Sequence, residues 1–262
     1  MRFAHPRLFA PPLASRILRA GAGLLTLSLL AGAAGNVRAE RYVAVYFGTS
    51  KTENSNLRIQ QPSTNTDVTF HGVSWDPKSF ESPPYYGYRI GFWSEKSPKW
   101  GVEMDMTHYK VYARVDRTVP VTGTVNGVPV TGTDVLGNTV QRFEISHGVN
   151  TLSLNLLYRW TGKPTPSFKH GRFQPYVGAG PSYYILHPEN RVNGIPNKQR
   201  YKPAGIGWQA LGGVRYGISH KVTFFAEGKY SNGLGEVETN NGGWGRAHLR
   251  TWQGLGGIQY GF

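Results

Sequence analysis

The last sixteen residues, Ala247 to Phe262 (AHLRTWQGLGGIQYGF), restrict the possible folds more than any other stretch. Counted back from the C-terminus, Phe262, Tyr260, Ile258 and Trp252 share one parity, with Gly254 and Gly256 between them, while Gly261, Gln259, Gln253 and Thr251 share the other. A period of two places the apolar set on one face of a β-strand and the polar set on the opposite face. In water such a strand at the end of a chain is an edge open to aggregation. In an outer membrane it closes a barrel, with its aromatic face toward lipid and its polar face toward the lumen. The same alternation should then recur upstream.

The other end of the chain predicts a targeting segment. Arg2, Arg7, Arg16 and Arg19 form a basic region without acids, an apolar run of about Ala20 to Ala34 follows, and Val37-Arg38-Ala39 offers a cleavage site before Glu40. This reads as a secretory signal peptide over residues 1–39, because the apolar run is too short for an ordinary membrane span. Its removal takes away five arginines and no acid, so a net charge of +14 becomes +9. Residues 40–262 suit one domain. They contain no apolar stretch long enough for a transmembrane helix, and the chain has no cysteine, so burial and hydrogen bonding must hold the fold without disulfides.

Seven further alternating segments precede the terminal one. They run about Arg41–Thr49, Pro84–Ser94, Trp100–Ala113, Val149–Trp160, Phe173–Leu186, Gly205–Tyr216 and Lys221–Ser231. The cleanest is the fourth strand, where Leu152, Leu154, Leu156, Tyr158 and Trp160 alternate with Thr151, Ser153, Asn155 and Arg159. In the third, Glu103 and Asp105 alternate with Val102, Met104 and Met106, a pattern that suits a polar lumen and no soluble core. The expected fold is an all-β, eight-stranded antiparallel transmembrane barrel with both termini at the periplasm. Short turns join the strands on that side, and long extracellular loops cover about 51–83, 114–147, 187–203 and 232–246. The second loop repeats VPVTGT at 119–124 and 128–133 around Asn126-Gly127, which predicts a hairpin above the membrane.

An eight-stranded barrel has an interior just wide enough for side chains. Arg89, Glu103, Asp105, Arg159, Arg215, Glu227 and Lys229 should therefore fill it, and a plugged lumen argues against a general porin. On this topology His71, His108, His147, His187 and His248 fall in the extracellular loops or at the outer strand ends, together with Asp76, Glu81, Glu144, Glu189, Glu236 and Glu238. Imidazoles with carboxylates suit first-row transition metals, whereas long polar loops also collect such residues simply by being solvated. Many Lys and Arg share this rim, where the phosphates of lipopolysaccharide would meet them. Basic residues spread around a barrel behind a signal peptide speak against nucleic acid as a partner.

Several segments together resemble the outer-membrane lipid A oxidase family, within the small eight-stranded outer-membrane barrels. They are FHGVSWDPKSFESPPYYGYRIGFW (70–93), WGVEMDMTHYKVYA (100–113), HGVNTLSLNLLYRW (147–160), QPYVGAGPSYYILHPE (174–189) and FFAEGKYS (224–231). The resemblance implies O2-dependent oxidation of the proximal glucosamine of lipid A to 2-aminogluconate, with hydrogen peroxide as by-product and a divalent metal ion as cofactor. It brings no catalytic residues with it, so these follow from placement. His108 lies on the outward, lipid-facing parity of the third strand near its outer end. His108, His147 and Glu144 are the candidate catalytic groups, and His71, His147 and Glu144 the candidate metal ligands. Lys110 could meet a phosphate, while Trp75, Lys78 and Phe80 could cover the sugar. The expected partners are lipid A within lipopolysaccharide and, through the strand ending in Phe262, the outer-membrane assembly machinery, with the chain acting as a monomer. The contrasting reading is a non-enzymatic envelope barrel that serves as structural protein, adhesin or host-contact surface.

Overall fold

The computed structural model describes residues 39–240 and 242–262, so the expected signal peptide, Ala39 apart, lies outside the described residues. The strands in chain order are β1 (Ala39–Thr52), β2 (Ser55–Gln61), β3 (Thr66–Val73), β4 (Trp75–Asp76), β5 (Tyr86–Ser94), β6 (Trp100–Ala113), β7 (Thr118–Val125), β8 (Val128–Val135), β9 (Val140–Arg159), β10 (Phe173–Leu186), β11 (Glu189–Val192), β12 (Ile195–Pro196), β13 (Lys202–Gly217), β14 (Val222–Glu238) and β15 (Trp244–Gly261). One helical turn, α1 (Leu136–Thr139), precedes β9. Eight strands form a closed antiparallel ring in the order β1-β5-β6-β9-β10-β13-β14-β15, with β15 pairing back to β1. Ile258 of β15 faces Val45 on one side and Phe224 on the other, so the C-terminal strand does close the barrel.

Alternation along each strand separates two environments. The outward set is apolar and exposed, as at Phe47, Ile90, Leu154, Leu156 and Ile258. It ends in aromatic belts. Trp100, Tyr158 and Trp160 touch one another near the short turns, and Trp208, Tyr230 and Trp252 do so toward the long connections. A closed barrel with an apolar waist between two aromatic girdles is built to sit in an outer membrane. No helix among the described residues is long and apolar enough to cross a membrane.

The inward set is charged and satisfied. All seven expected lumen residues are buried, Asp105 and Arg159 completely. Arg89 donates twice to Glu227, at 2.8 and 2.6 Å, and once to Asp105 at 3.1 Å. Asp105 also accepts from Lys229 at 2.5 Å and from Tyr46 at 2.7 Å, and Tyr42 donates to Glu103 at 2.8 Å. Tyr46 reaches across because β5 carries Gly87 there; a Cβ would meet the Tyr46 ring at 2.1 Å. Only about 10 Å3 remains open beside Arg89, Trp93, Glu103 and Arg215, room for no more than a single water. The barrel is plugged by its own side chains.

The connections on the outer side differ from the expected loops. Residues 232–246 are mostly strand, since β14 runs to Glu238 and β15 resumes at Trp244. β9 begins at Val140, well before the expected start at Val149. Residues 51–83 contain the β2–β3 hairpin, and β2 pairs with the outer end of β15 (Gly245 opposite Ile59). β3 then pairs with β7, and β7 with β8, in the hairpin that Asn126-Gly127 predicts. Leu57, Ile59, Val68, Phe70, Phe143 and Leu249 point inward from this collar and are at most 3% exposed. Above a polar lumen the chain therefore builds a dry apolar core. Each collar strand offers only two or three apolar positions, which is why a polar composition hid it.

Candidate functional site at the extracellular rim

Where β6 and β9 emerge from the membrane belt, their outward face carries polar residues. Tyr86, His108 and Asn150 lie side by side on β5, β6 and β9. The His108 imidazole stacks on Tyr86 with centroids 4.8 Å apart, and its Nδ1 lies 2.9 Å from Asn150 Oδ1. Asn150 Nδ2 donates to the carbonyls of Gly148 and Ile185, which leaves Oδ1 as the acceptor and puts the proton on His108 Nδ1. His108 Nε2 is then a bare lone pair, buried and without a partner. Gly148 makes this possible. Its φ is +105°, and a Cβ there would strike the His108 ring at 2.2 Å.

His108 is thus on the expected parity but does not face lipid, because it is only 3% exposed. The segment between β4 and β5 folds over this face. Lys110 donates to the carbonyls of Glu81 and Ser82 at 3.0 and 3.1 Å and is buried beneath them, so it does not reach a phosphate in this conformation. Lys78 pairs with Glu81 at 3.4 Å and lies over the Tyr112 ring. Phe80 projects outward, 85% exposed. Trp75 does not cover a sugar. β4 pairs with the end of β6, and the indole packs beside Phe143 in the collar core and donates to Ser55.

The expected metal ligands are not brought together. His71 lies just past the last β3–β7 pair and bonds Thr122 at 2.8 Å, and Glu144 is held by Arg142 at 2.8 Å. The structure instead joins His147 to His187 and Glu189, whose ligand atoms all lie within 4.8 Å of one another. β11 pairs with the outer end of β9, placing Glu189 opposite Glu144. Glu189 Oε1 accepts from Ser146 at 2.6 Å and lies 2.8 Å from His147 Nδ1, while its other oxygen is 3.2 Å from Arg142. Burial pushes the Glu189 carboxyl up, but the Ser146 hydroxyl, Arg142 and His147 outweigh it and hold the group below its ordinary value. The carboxylate is therefore charged at neutral pH. His187 stacks between His147 and Tyr201, with both centroids 4.6 Å away, and its Nδ1 is buried without a hydrogen-bond partner.

Two imidazoles and one carboxylate are a donor set that suits a first-row transition metal, and the orphaned His187 nitrogen next to an ionised carboxylate fits such an ion. His187 and Glu189 belonged to the rim set without being singled out. The signal was His187-Pro188-Glu189: two residues apart in extended chain, both groups fall on one side.

No protein-family model matches the chain, and no curated protein sequence does. Solved structures share its fold. The outer membrane protein OprG from Pseudomonas aeruginosa is 15% identical over 86% of this chain and 96% of its own, with a TM-score of 0.53. Neisserial surface protein A is 14% identical over 85% of this chain and 97% of its own, with a TM-score of 0.42. The N-terminal barrel domain of P. aeruginosa OprF is 13% identical, over 86% of this chain and 100% of that domain, with a TM-score of 0.38.

Proposed function

We propose that this outer-membrane barrel is an enzyme that acts on lipid A in the outer leaflet and oxidises its proximal glucosamine with O2. The observation that carries the reading is the His147–His187–Glu189 cluster on the outer side of the rim, where a neighbouring lipid headgroup lies and soluble substrates need not enter. A filled lumen supports it by removing transport as the alternative use of the barrel.

Within this reading His147, His187 and Glu189 would hold a divalent metal ion, which would supply the redox couple that O2 chemistry on a sugar requires. Glu189 orients the His147 ring through Nδ1 and leaves Nε2 as the basic nitrogen. That nitrogen is the one His147 would offer to the ion. On lipid A whose C1 bears a free hydroxyl rather than a phosphate, two electrons and two protons leave C1 and its hydroxyl for O2, giving hydrogen peroxide and a lactone, and water then opens the lactone to 2-aminogluconate. Rim cations, the exposed Arg191 and the half-buried Lys78 among them, attract the phosphates at roughly 1 kcal/mol each near the surface. Phe80 enters the apolar part of the leaflet.

Mass spectrometry of lipid A from cells with and without the protein tests this. The expected result is a gain of one oxygen atom that needs both the protein and air. Lipid A that is identical in the two strains overturns it and leaves the envelope-surface reading, for which the protruding β7–β8 hairpin is the structural support.

A further inference from the structure

The sheet that leaves the barrel at β15 and continues through β2, β3 and β7 stops at β8. Among the described strands longer than two residues, β8 alone has a single partner. Its free edge carries few of the usual protections. Between Val128 and Val135 there is no Lys, no Arg and no register shift in the β7–β8 ladder. The one charge, Asp134, is engaged with Val135 N–H and Asn138. Only Pro129 lacks an N–H. A flat, nearly neutral edge of this kind is a template for another strand.

The repeat indicates which strand. VPVTGT in β7 pairs antiparallel with VPVTGT in β8, Thr122 opposite Thr131, so this hexapeptide is already seen to pair with its own copy. Asn126 and Gly127 form a two-residue turn with positive φ, which makes Val125/Val128 a hydrogen-bonded pair and sets the parity of the ladder. Thr122 and Thr124 then point their backbone groups away from β8, and β3 takes them up through Thr69 and Asp67. The equivalent positions of the second copy, Thr131 and Thr133, point to the open edge. Gly123 has a positive φ and still sits in the β3 ladder opposite Val68, so the positive φ of Gly132 is no obstacle to pairing.

We infer that two copies of this chain associate by antiparallel pairing of β8 with β8, with Gly132 near the two-fold axis and Thr131 opposite Thr133 of the partner subunit. A two-fold closes the assembly and leaves neither edge open. This rests on the collar alone and is independent of the proposed enzymatic activity.

Light scattering of the detergent-solubilised full-length chain over a range of concentrations tests it. The wild type should be a dimer. Thr131→Lys/Thr133→Lys places like charges opposite one another on exposed positions, and should weaken dimerisation about tenfold or more with the barrel intact. The chain has no cysteine, so Thr131→Cys/Thr133→Cys should cross-link between subunits on oxidation. A monomer at every concentration, with its edge bare or holding a foreign strand, overturns the inference. So does a dimer that the lysine variant leaves unchanged.

Discussion

The membrane-embedded half of this molecule and its extracellular collar use one ring of strands to opposite ends. In the membrane the apolar residues face outward, and the interior holds Arg89, Asp105, Glu227 and Lys229 in mutual contact. In the collar the same strands continue, but Phe143, Leu249 and Ile59 face inward. The change follows the solvent. Lipid takes apolar side chains from the outside, so the lumen becomes the place for charge. Above the headgroups water is outside, and the hydrophobic effect again favours an apolar interior. The rim between the two halves is where outward-facing residues switch from apolar to polar, and there His108, His147, His187 and Glu189 collect.

The largest effect that would break this contrast is expected in the lumen. Asp105→Ala removes the carboxylate paired with Lys229 and one of the three around Arg89, and leaves the buried Lys229 charge uncompensated, at a cost of about 3–5 kcal/mol. Urea unfolding in micelles should show it as loss of the whole barrel. Leu57→Ala in the collar removes a fully buried side chain and should cost about 2–5 kcal/mol. Here hydrogen exchange should rise in β2, β3 and β7 and leave the membrane strands protected. A uniform rise in both halves would show that the two are one cooperative unit. Leu154→Arg, a lipid-facing change, should cost about 2–4 kcal/mol in a bilayer.

How far the sequence disclosed these halves depends on how many alternating positions each strand offers. β9 shows Leu152, Leu154, Leu156 and Tyr158 in phase, and all eight barrel strands and all seven lumen charges were legible from such runs. The collar was not. Leu57 and Ile59, or Val68 and Phe70, are only pairs within polar surroundings, and their burial depends on a ladder with a strand nearly two hundred residues away (Ile59 opposite Gly245). The site was legible in part. His147 stood among the rim residues, but its partners come from β11 and the segment after β10, and only the pairing of Glu189 with Glu144 brings them near. Trp75 was misplaced for the same reason, since the collar that encloses it was not foreseen.

The smallest expected effect lies on the collar surface. Arg58 donates to Asp67 at 2.9 and 2.8 Å, and Gln60 adds a third bond. The Arg58 hydrogen bond, aided by Gln60, holds the Asp67 carboxyl below its ordinary value against a small opposing effect of burial. A lowered folded pKa means that this contribution is complete above the unfolded value and is lost as pH falls through the folded one. The pair is exposed, so Asp67→Asn should cost no more than about 0.2–1 kcal/mol and should remove a collar stability increment seen only above the acid range.

The rim cluster is tested most directly by lipid A mass spectrometry on aerobic cells that carry either the wild type or His147→Ala/His187→Ala. Both residues lie outside the two cores, so the variant barrel should assemble at wild-type levels, which heat-modified electrophoretic mobility checks. The oxygen-bearing lipid A species should appear with the wild type and be absent with the variant. An assembled variant that still produces it in full would contradict the assignment of the chemistry to this cluster.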